Sequence, residues 1–396
     1  MLNDTASDVR VAAAKGFVAL AKHDECRSKM IEFGCADSLR RMLCDIKSVP
    51  DETFFDIVAE LVKYEEIRNM MLESHSSEKL KESHLLDKLK DMLRVGTYDS
   101  NARLVSAKGF KIFAEYDNCQ SKMIEIDLMK LLQSMLHSTE SRVTSLEIVT
   151  EFAKHAILRK KMLESNFLKD LQDIFSLRKS KVDSYSSISD IDNDSNVRVM
   201  STKAITVFAK YDECQGEIIR IDFLSCLQKT FGHAEWTCRE SAVEAVGEFA
   251  KYEILRRKML ESHFLEDLKN MIHDESLPVR LASVNAIAIF ASHDDQCDVI
   301  TFGFVDYLYQ MFNGSNWKSR QISLNAVAEC AHHEKLRSKM LESHFLEYLR
   351  YLLGDSDCDV QLASAKAIVA FAKHDNSRRA MNEFSMLDLA LQRLQM

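Results

Sequence analysis

Apolar positions along this chain recur at helical spacing. In VQLASAKAIVAFA (360 to 372) they fall at the three- and four-residue intervals that gather on one face of a helix, behind the capping letters SDCD. LRSKMLES (336 to 343) and FLEYLRYLL (345 to 353) carry the same period over shorter spans. The pattern predicts two short amphipathic helices followed by one long, Ala-rich helix.

That triplet repeats. KMLESHFL stands at 258 to 265 and again at 339 to 346, with KMLESNFL at 161 to 168. An apolar residue followed by a small one closes each long helix: Leu20, Leu61, Phe113, Phe152, Phe208, Phe249, Phe290, Cys330 and Phe371. Successive differences are 41, 52, 39, 56, 41, 41, 40 and 41, so six of eight lie within two residues of 41. Such self-similarity marks a stacked helical array. The two long intervals coincide with insertions. One lies near 74–84, where LESHSSEKLKESHLL contains ESH twice; the other is 178–195, RKSKVDSYSSISDIDNDS, whose polarity predicts a loop. Nine repeats then tile residues 1–396 as a single array.

Composition agrees. Only 10 Gly and 2 Pro occur in 396 residues, which leaves little punctuation for sheets or long loops. Pro50 and Pro278 both precede a long helix, where a missing N–H costs nothing. Charge is 52 basic against 61 acidic, which gives no overall attraction for nucleic acid. No apolar run approaches the roughly 20 residues of a membrane span, and no signal-like N-terminus is seen. The 10 cysteines form no CxxC pair, which suits a reduced, cytoplasmic or nuclear setting. Cys26, Cys119, Cys214 and Cys297 alternate with Ile67, Leu158, Leu255 and Leu336 in one slot, so they read as small core hydrophobes.

KMIEFGCADSLRRML (29 to 43) resembles the first helix, glycine turn and second helix of an armadillo repeat, and the resemblance extends over all 396 residues. It implies an all-α right-handed solenoid of three-helix repeats, with two-helix HEAT-like geometry open for individual repeats. It also implies a non-catalytic scaffold that binds protein partners along a concave wall of third helices, with no cofactor. The turn glycine of the family survives as Gly34 and Gly303. Elsewhere the turn carries His84, Asn166, His263 and His344, residue types that tolerate left-handed backbone. Peptide-binding members, such as nuclear-import receptors, carry an asparagine one residue before the anchor. Here that column reads Ala19, Glu60, Ile112, Glu151, Val207, Glu248, Ile289, Glu329 and Ala370, which speaks against an import-type peptide clamp.

A charge alternation stands in its place. Glu60, Glu151, Glu248 and Glu329 mark the even repeats. One turn earlier stand Lys15, Lys108, Lys203, Asn285 and Lys366 in odd repeats, against Asp56, Glu147, Glu244 and Asn325 in even ones. The repeating element is then a pair, as the 81 residues between Lys258 and Lys339 suggest. The ladder reads either as inter-repeat ion pairs or as a charged groove for a partner. An alternative is an anionic-phosphate binder, lipid or nucleic acid, using first-helix cations: Arg27/Lys29, Arg159/Lys160/Lys161, Arg256/Arg257/Lys258, Arg337/Lys339 and Arg378/Arg379. Against it, Lys161, Lys258 and Lys339 have Glu164, Glu261 and Glu342 three residues on, and aromatic interleaving is missing.

No nucleophile–base pair, phosphate loop or metal cluster emerges, so neither catalytic nor metal-binding residues are expected. Ser187 and Ser189, each three residues before an Asp, suit an acid-directed kinase. The chain starts within a third helix and stops after a second, so its bare ends predict head-to-tail self-association or a longer array.

Overall fold

Two short helices joined by a polar corner, then a long Ala-rich helix, are what the repeat encodes, and the fold assembles them in that order. The computed structural model describes residues 7–32, 59–72, 85–94, 100–176, 188–293, 298–314, 316–343 and 345–382. Helices dominate these residues and no strand occurs among them. The chain divides into two compact units, Met1–Lys181 and Val182–Met396.

In the N-terminal unit, α1 (Ser7–Ala21) and α2 (Asp24–Glu32) come first. Residues 59–61 close a further helical stretch. Then follow α3 (Glu65–Leu72), α4 (Leu85–Leu93), α5 (Ser100–Ala114), α6 (Asp117–Glu125) and α7 (Leu128–Leu136). The unit continues with α8 (Arg142–Phe152), α9 (Ala156–Glu164) and α10 (Phe167–Ser176). The C-terminal unit opens with α11 (Ile188–Ala209), α12 (Asp212–Arg220) and α13 (Phe223–Thr230), then α14 (Trp236–Ala250), α15 (Glu253–Glu261) and α16 (Phe264–Met271). After α17 (Leu277–His293) and α18 (Asp298–Phe312) come α19 (Trp317–Cys330), α20 (Glu334–Glu342) and α21 (Phe345–Leu352). The helices α22 (Cys358–Ala372) and α23 (Asp375–Asn382) complete it. Long helix packs on long helix, α11 to α14 to α17 to α19 to α22 in one unit and α5 to α8 in the other.

The core follows the period. Leu61, Phe113, Phe152, Phe208, Phe249, Phe290, Cys330 and Phe371 are all fully buried. Leu20 departs from its column, being 47% exposed, while Ala21 beside it is buried. Cys119 and Cys214 are buried and Cys26 half-buried; burial pushes the Cys119 thiol up to about 12, so it stays a neutral packing group. Cys297 lies outside the described residues.

The corner between the two short helices is left-handed where it is described. Asn166 and His263 have φ of 60° and 61°, as their residue types predict, and Asp127 and Asp222 take φ of 56° and 58° in the intervening repeats. His84, His344 and Gly34 lie outside the described residues. Gly303 is a correction: α18 runs unbroken from Asp298 to Phe312, so no turn forms there. The sequence explains it, because TFGFVDYL lacks the polar Glu-Ser-His corner and carries Phe304, Val305 and Leu308 buried at helical spacing. At His263, substitution by glycine is expected to change stability by no more than about 1 kcal/mol, since relief of left-handed strain and added chain entropy oppose each other. His263→Val should lose about 1–2 kcal/mol in urea denaturation, because a β-branched side chain crowds that conformation.

The insertions also resolve in part. Helix α11 begins at Ile188, so residues 188–195 of the expected loop are helical, with Ser195 buried. Asp190 and Asp192 near the start of α11 suit a helix N-terminus, which a reading by polarity alone mistakes for loop. Ser189 therefore lies in helical backbone. Residues 74–84, 178–187 (with Ser187) and Pro50 lie outside the described residues, while Pro278 sits in the first turn of α17, as expected.

Candidate functional site

Positions three and four apart on a long helix share a face. In the C-terminal unit that face is open on four successive long helices, and between them runs a groove of about 700 Å³. Its polar walls are Lys251 of α14, Asn285 and His293 of α17, Asn325, Glu329 and His332 of α19, and Lys366 and Lys373 of α22. Its floor is Ala288, Ile289, Ala328, Val369 and Ala370. Beside the groove, Gly247 of α14 packs close to α17: a Cβ built there would lie 3.3 Å from the Ala286 backbone.

The structure thus brings together Asn285, Asn325, Glu329 and Lys366, four of the thirteen ladder residues expected from the sequence. Lys203, Glu244 and Glu248 stand on the matching face of α11 and α14 in the same unit, the first two exposed. Lys15, Glu60, Lys108, Glu147 and Glu151 belong to the N-terminal unit, each exposed or half-buried. Asp56 lies outside the described residues.

How these charges are matched differs along the ladder. Glu60 pairs with Lys63, Glu151 with Lys154 at 2.7 Å, and Glu248 with Lys251, each three residues on in its own helix. One ion pair between neighbouring long helices is Lys111 to Glu147 at 3.4 Å, and its lysine is one turn beyond Lys108. Burial would raise the carboxyl of Glu248, but hydrogen bonds from Lys251 and Tyr252 outweigh it and hold it below its ordinary range. Glu240 moves the other way, raised by burial and by Glu244, with Lys203 opposing. In the groove the pattern changes: Asn285, Asn325, Glu329, Lys366 and Lys373 have neither a hydrogen-bond nor an ion-pair partner for their side chains among the described residues. His332 stacks edge-on against His374, with ring centroids 6.1 Å apart.

Sequence reading missed one column of the site. Two residues past seven of the nine anchors stand Lys22, Lys63, Lys154, Lys210, Lys251 and Lys373, with His332 in the eighth repeat, while Glu115 and Ser292 interrupt the column. The same 41-residue spacing that revealed the anchors carries this column, and all seven side chains are exposed.

The first-helix arginines do something other than face outward. Arg27, Arg68, Arg159, Arg256 and Arg337 each donate to a carbonyl six residues back, at the end of the preceding long helix, over 2.8–3.0 Å. Gln120 and Gln215 fill the slot elsewhere and donate to Ala114 and Ala209. These bonds satisfy carbonyls that a helix end leaves open. Arg159 and Arg337 are buried, and Lys161, Lys258 and Lys339 pair with Glu164, Glu261 and Glu342. The alternative phosphate stripe therefore loses Arg27, Arg159, Arg256 and Arg337 to the fold. Among the described residues no group of three or more His, Cys, Asp or Glu side chains could hold a metal ion, and no helix is long and apolar enough to cross a membrane.

Comparison places the architecture among known folds. No protein-family model matches the sequence, and no curated protein matches it. A crystal structure of an engineered protein superposes over 100% of this chain and 92% of its own, with TM-score 0.55 and 16% identity. A designed armadillo repeat protein solved with the peptide (KR)4 is similar over 61% of this chain and 98% of its own, at 21% identity and TM-score 0.49. Computationally designed armadillo repeat proteins for modular peptide recognition align over 61% and 98%, at 20% identity and TM-score 0.47. The triplet of two short helices and one long one, with long helices stacked on each other, defines the class: an all-α repeat solenoid of armadillo-like type.

Proposed function

We propose that this chain is a non-catalytic binding scaffold that holds an extended segment of a partner protein across α14, α17, α19 and α22. One observation carries the reading: the groove presents the amides of Asn285 and Asn325 on adjacent long helices, both exposed and without a partner among the described residues. An amide side chain offers a donor and an acceptor together, which is what a peptide backbone requires. These asparagines stand one turn before the column that import-type receptors use, so the clamp would be displaced along the helix by one turn. Packed helices lie about 8–10 Å apart, so an extended chain passes two to three residues per repeat.

A display library of random octapeptides, selected on the immobilised chain, tests the reading. The wild type should enrich peptides, and Asn285→Ala with Asn325→Ala should bind them at least about tenfold more weakly, the loss expected from two peptide hydrogen bonds. Equal binding by the double variant, with an unchanged circular dichroism melt, would place the partner elsewhere on the chain.

A further inference from the structure

We infer that the partner segment held in this groove carries an acidic side chain, Asp or Glu, which lies between Lys366 and Lys373 of α22. The inference rests on the groove reading and adds the chemistry of the occupant. The fold itself shows what matches a lysine two residues past the anchor. Lys63, Lys154 and Lys251 each take a carboxylate three residues back, from Glu60, Glu151 and Glu248. In α22 that position is Ala370, so the same lysine, Lys373, faces the groove without its acid. Lys366 stands seven residues earlier, two turns along the same face, and neither ammonium has an ion-pair partner among the described residues. Two lysines set about 10 Å apart along the helix axis, over an apolar floor of Val369 and Ala370, leave room for one carboxylate between their flexible side chains.

Glu329 fixes where along the groove that acid can sit. It lies on α19, one repeat away, exposed and without a hydrogen-bond or ion-pair partner among the described residues. A partner carboxylate placed there would meet like charge, so acid is favoured at the α22 end and disfavoured at the α19 end. The segment thus reads as backbone held by Asn285 and Asn325, followed by an acidic residue two to three positions beyond Asn325. A carboxylate flanked by two ammonium groups forms charge-assisted hydrogen bonds, roughly twice as strong as neutral ones.

Peptides selected on the wild-type chain decide the matter. They should share Asp or Glu at one fixed position, and Lys366→Gln with Lys373→Gln should weaken them roughly tenfold or more. Lys366→Glu with Lys373→Glu should instead select Lys or Arg at that position. Both lysines are exposed, so the melts should match the wild type. Peptides that need Asn285 and Asn325 but show no acidic position overturn the inference and leave the groove reading standing. Failure of the wild type to select any peptide overturns both. Binding of phosphatidylserine vesicles that is lost in the Gln pair, with no peptide selected, likewise assigns the lysines to a lipid surface and overturns it.

Discussion

Replacing Asp274 with alanine is expected to cost the C-terminal unit about 3–5 kcal/mol, read as a lower urea midpoint for the full chain. Asp274 receives two parallel hydrogen bonds from Arg239 of α14, Nε to Oδ2 and Nη2 to Oδ1, both 2.8 Å. The side chains are only 6% and 7% exposed, so removing Asp274 leaves the buried Arg239 guanidinium with the largely exposed Glu275, 3.3 Å away, as its remaining carboxylate. Arg239 also donates to the carbonyls of His233 and Ala234, and the Asp274 carboxylate accepts from the Ser276 amide. The pair therefore joins the turn before α14 to the turn before α17. Arg320 and Asp355 repeat it 81 residues later, at 2.9 and 3.0 Å. Arg239→Met combined with Asp274→Ala should recover much of the single-variant loss, because the orphaned charge is then gone.

The same pair sets a pH dependence. Burial tends to raise the Asp274 carboxyl, yet the Arg239 hydrogen bonds and charge and the Ser276 amide hold it below the usual carboxylate range. Asp355 behaves alike, with Arg320 and the Asp357 amide outweighing burial. A folded carboxyl depressed below its unfolded value stabilises fully above about pH 4 and loses that contribution as pH falls through the folded value. Urea midpoints should therefore fall between pH 5 and pH 2, and fall less in the Arg239→Met, Asp274→Ala variant. An identical acid slope in both chains would show that the pair contributes nothing to it.

Such pairs mark the limit of what the chain discloses as text. Anchors and long helices follow from the repeat period, and the described residues reproduce them except at Leu20. Arg239 and Asp274 are 35 residues apart and neither belongs to a repeated motif in every repeat, so nothing local joins them. The first-helix arginines misled for a related reason. Their sequence context is a charged, solvent-like stretch, and only the return of the backbone brings a helix-end carbonyl within reach of each guanidinium. Gly303 shows a residue read by type overruled by its neighbours, since apolar residues on both sides continue the helix. At the groove, Asn285, Asn325, Glu329 and Lys366 were legible because they are columns of the repeat. The Lys251 and Lys373 column is equally periodic, but lysine near a helix end also suits the helix dipole, so its residue type alone does not mark a site.

Phe249→Ala and Leu20→Ala, two truncations of one repeat position, are expected to differ by several kcal/mol. Phe249 is fully buried, with its ring 6.4 Å from that of Phe223. Deleting it removes apolar contact and leaves a cavity, at a cost of about 3–5 kcal/mol. Leu20, 47% exposed, should change stability by no more than about 0.5 kcal/mol on truncation. In a stacked array each repeat gains stability from its neighbours, so the Phe249 loss should appear first in α11, α14 and α17, as faster amide hydrogen exchange there than in α5 and α8. Equal losses for the two variants would mean that Leu20 is covered in solution. Uniform acceleration of exchange across both units would mean that the chain unfolds as one cooperative body rather than repeat by repeat.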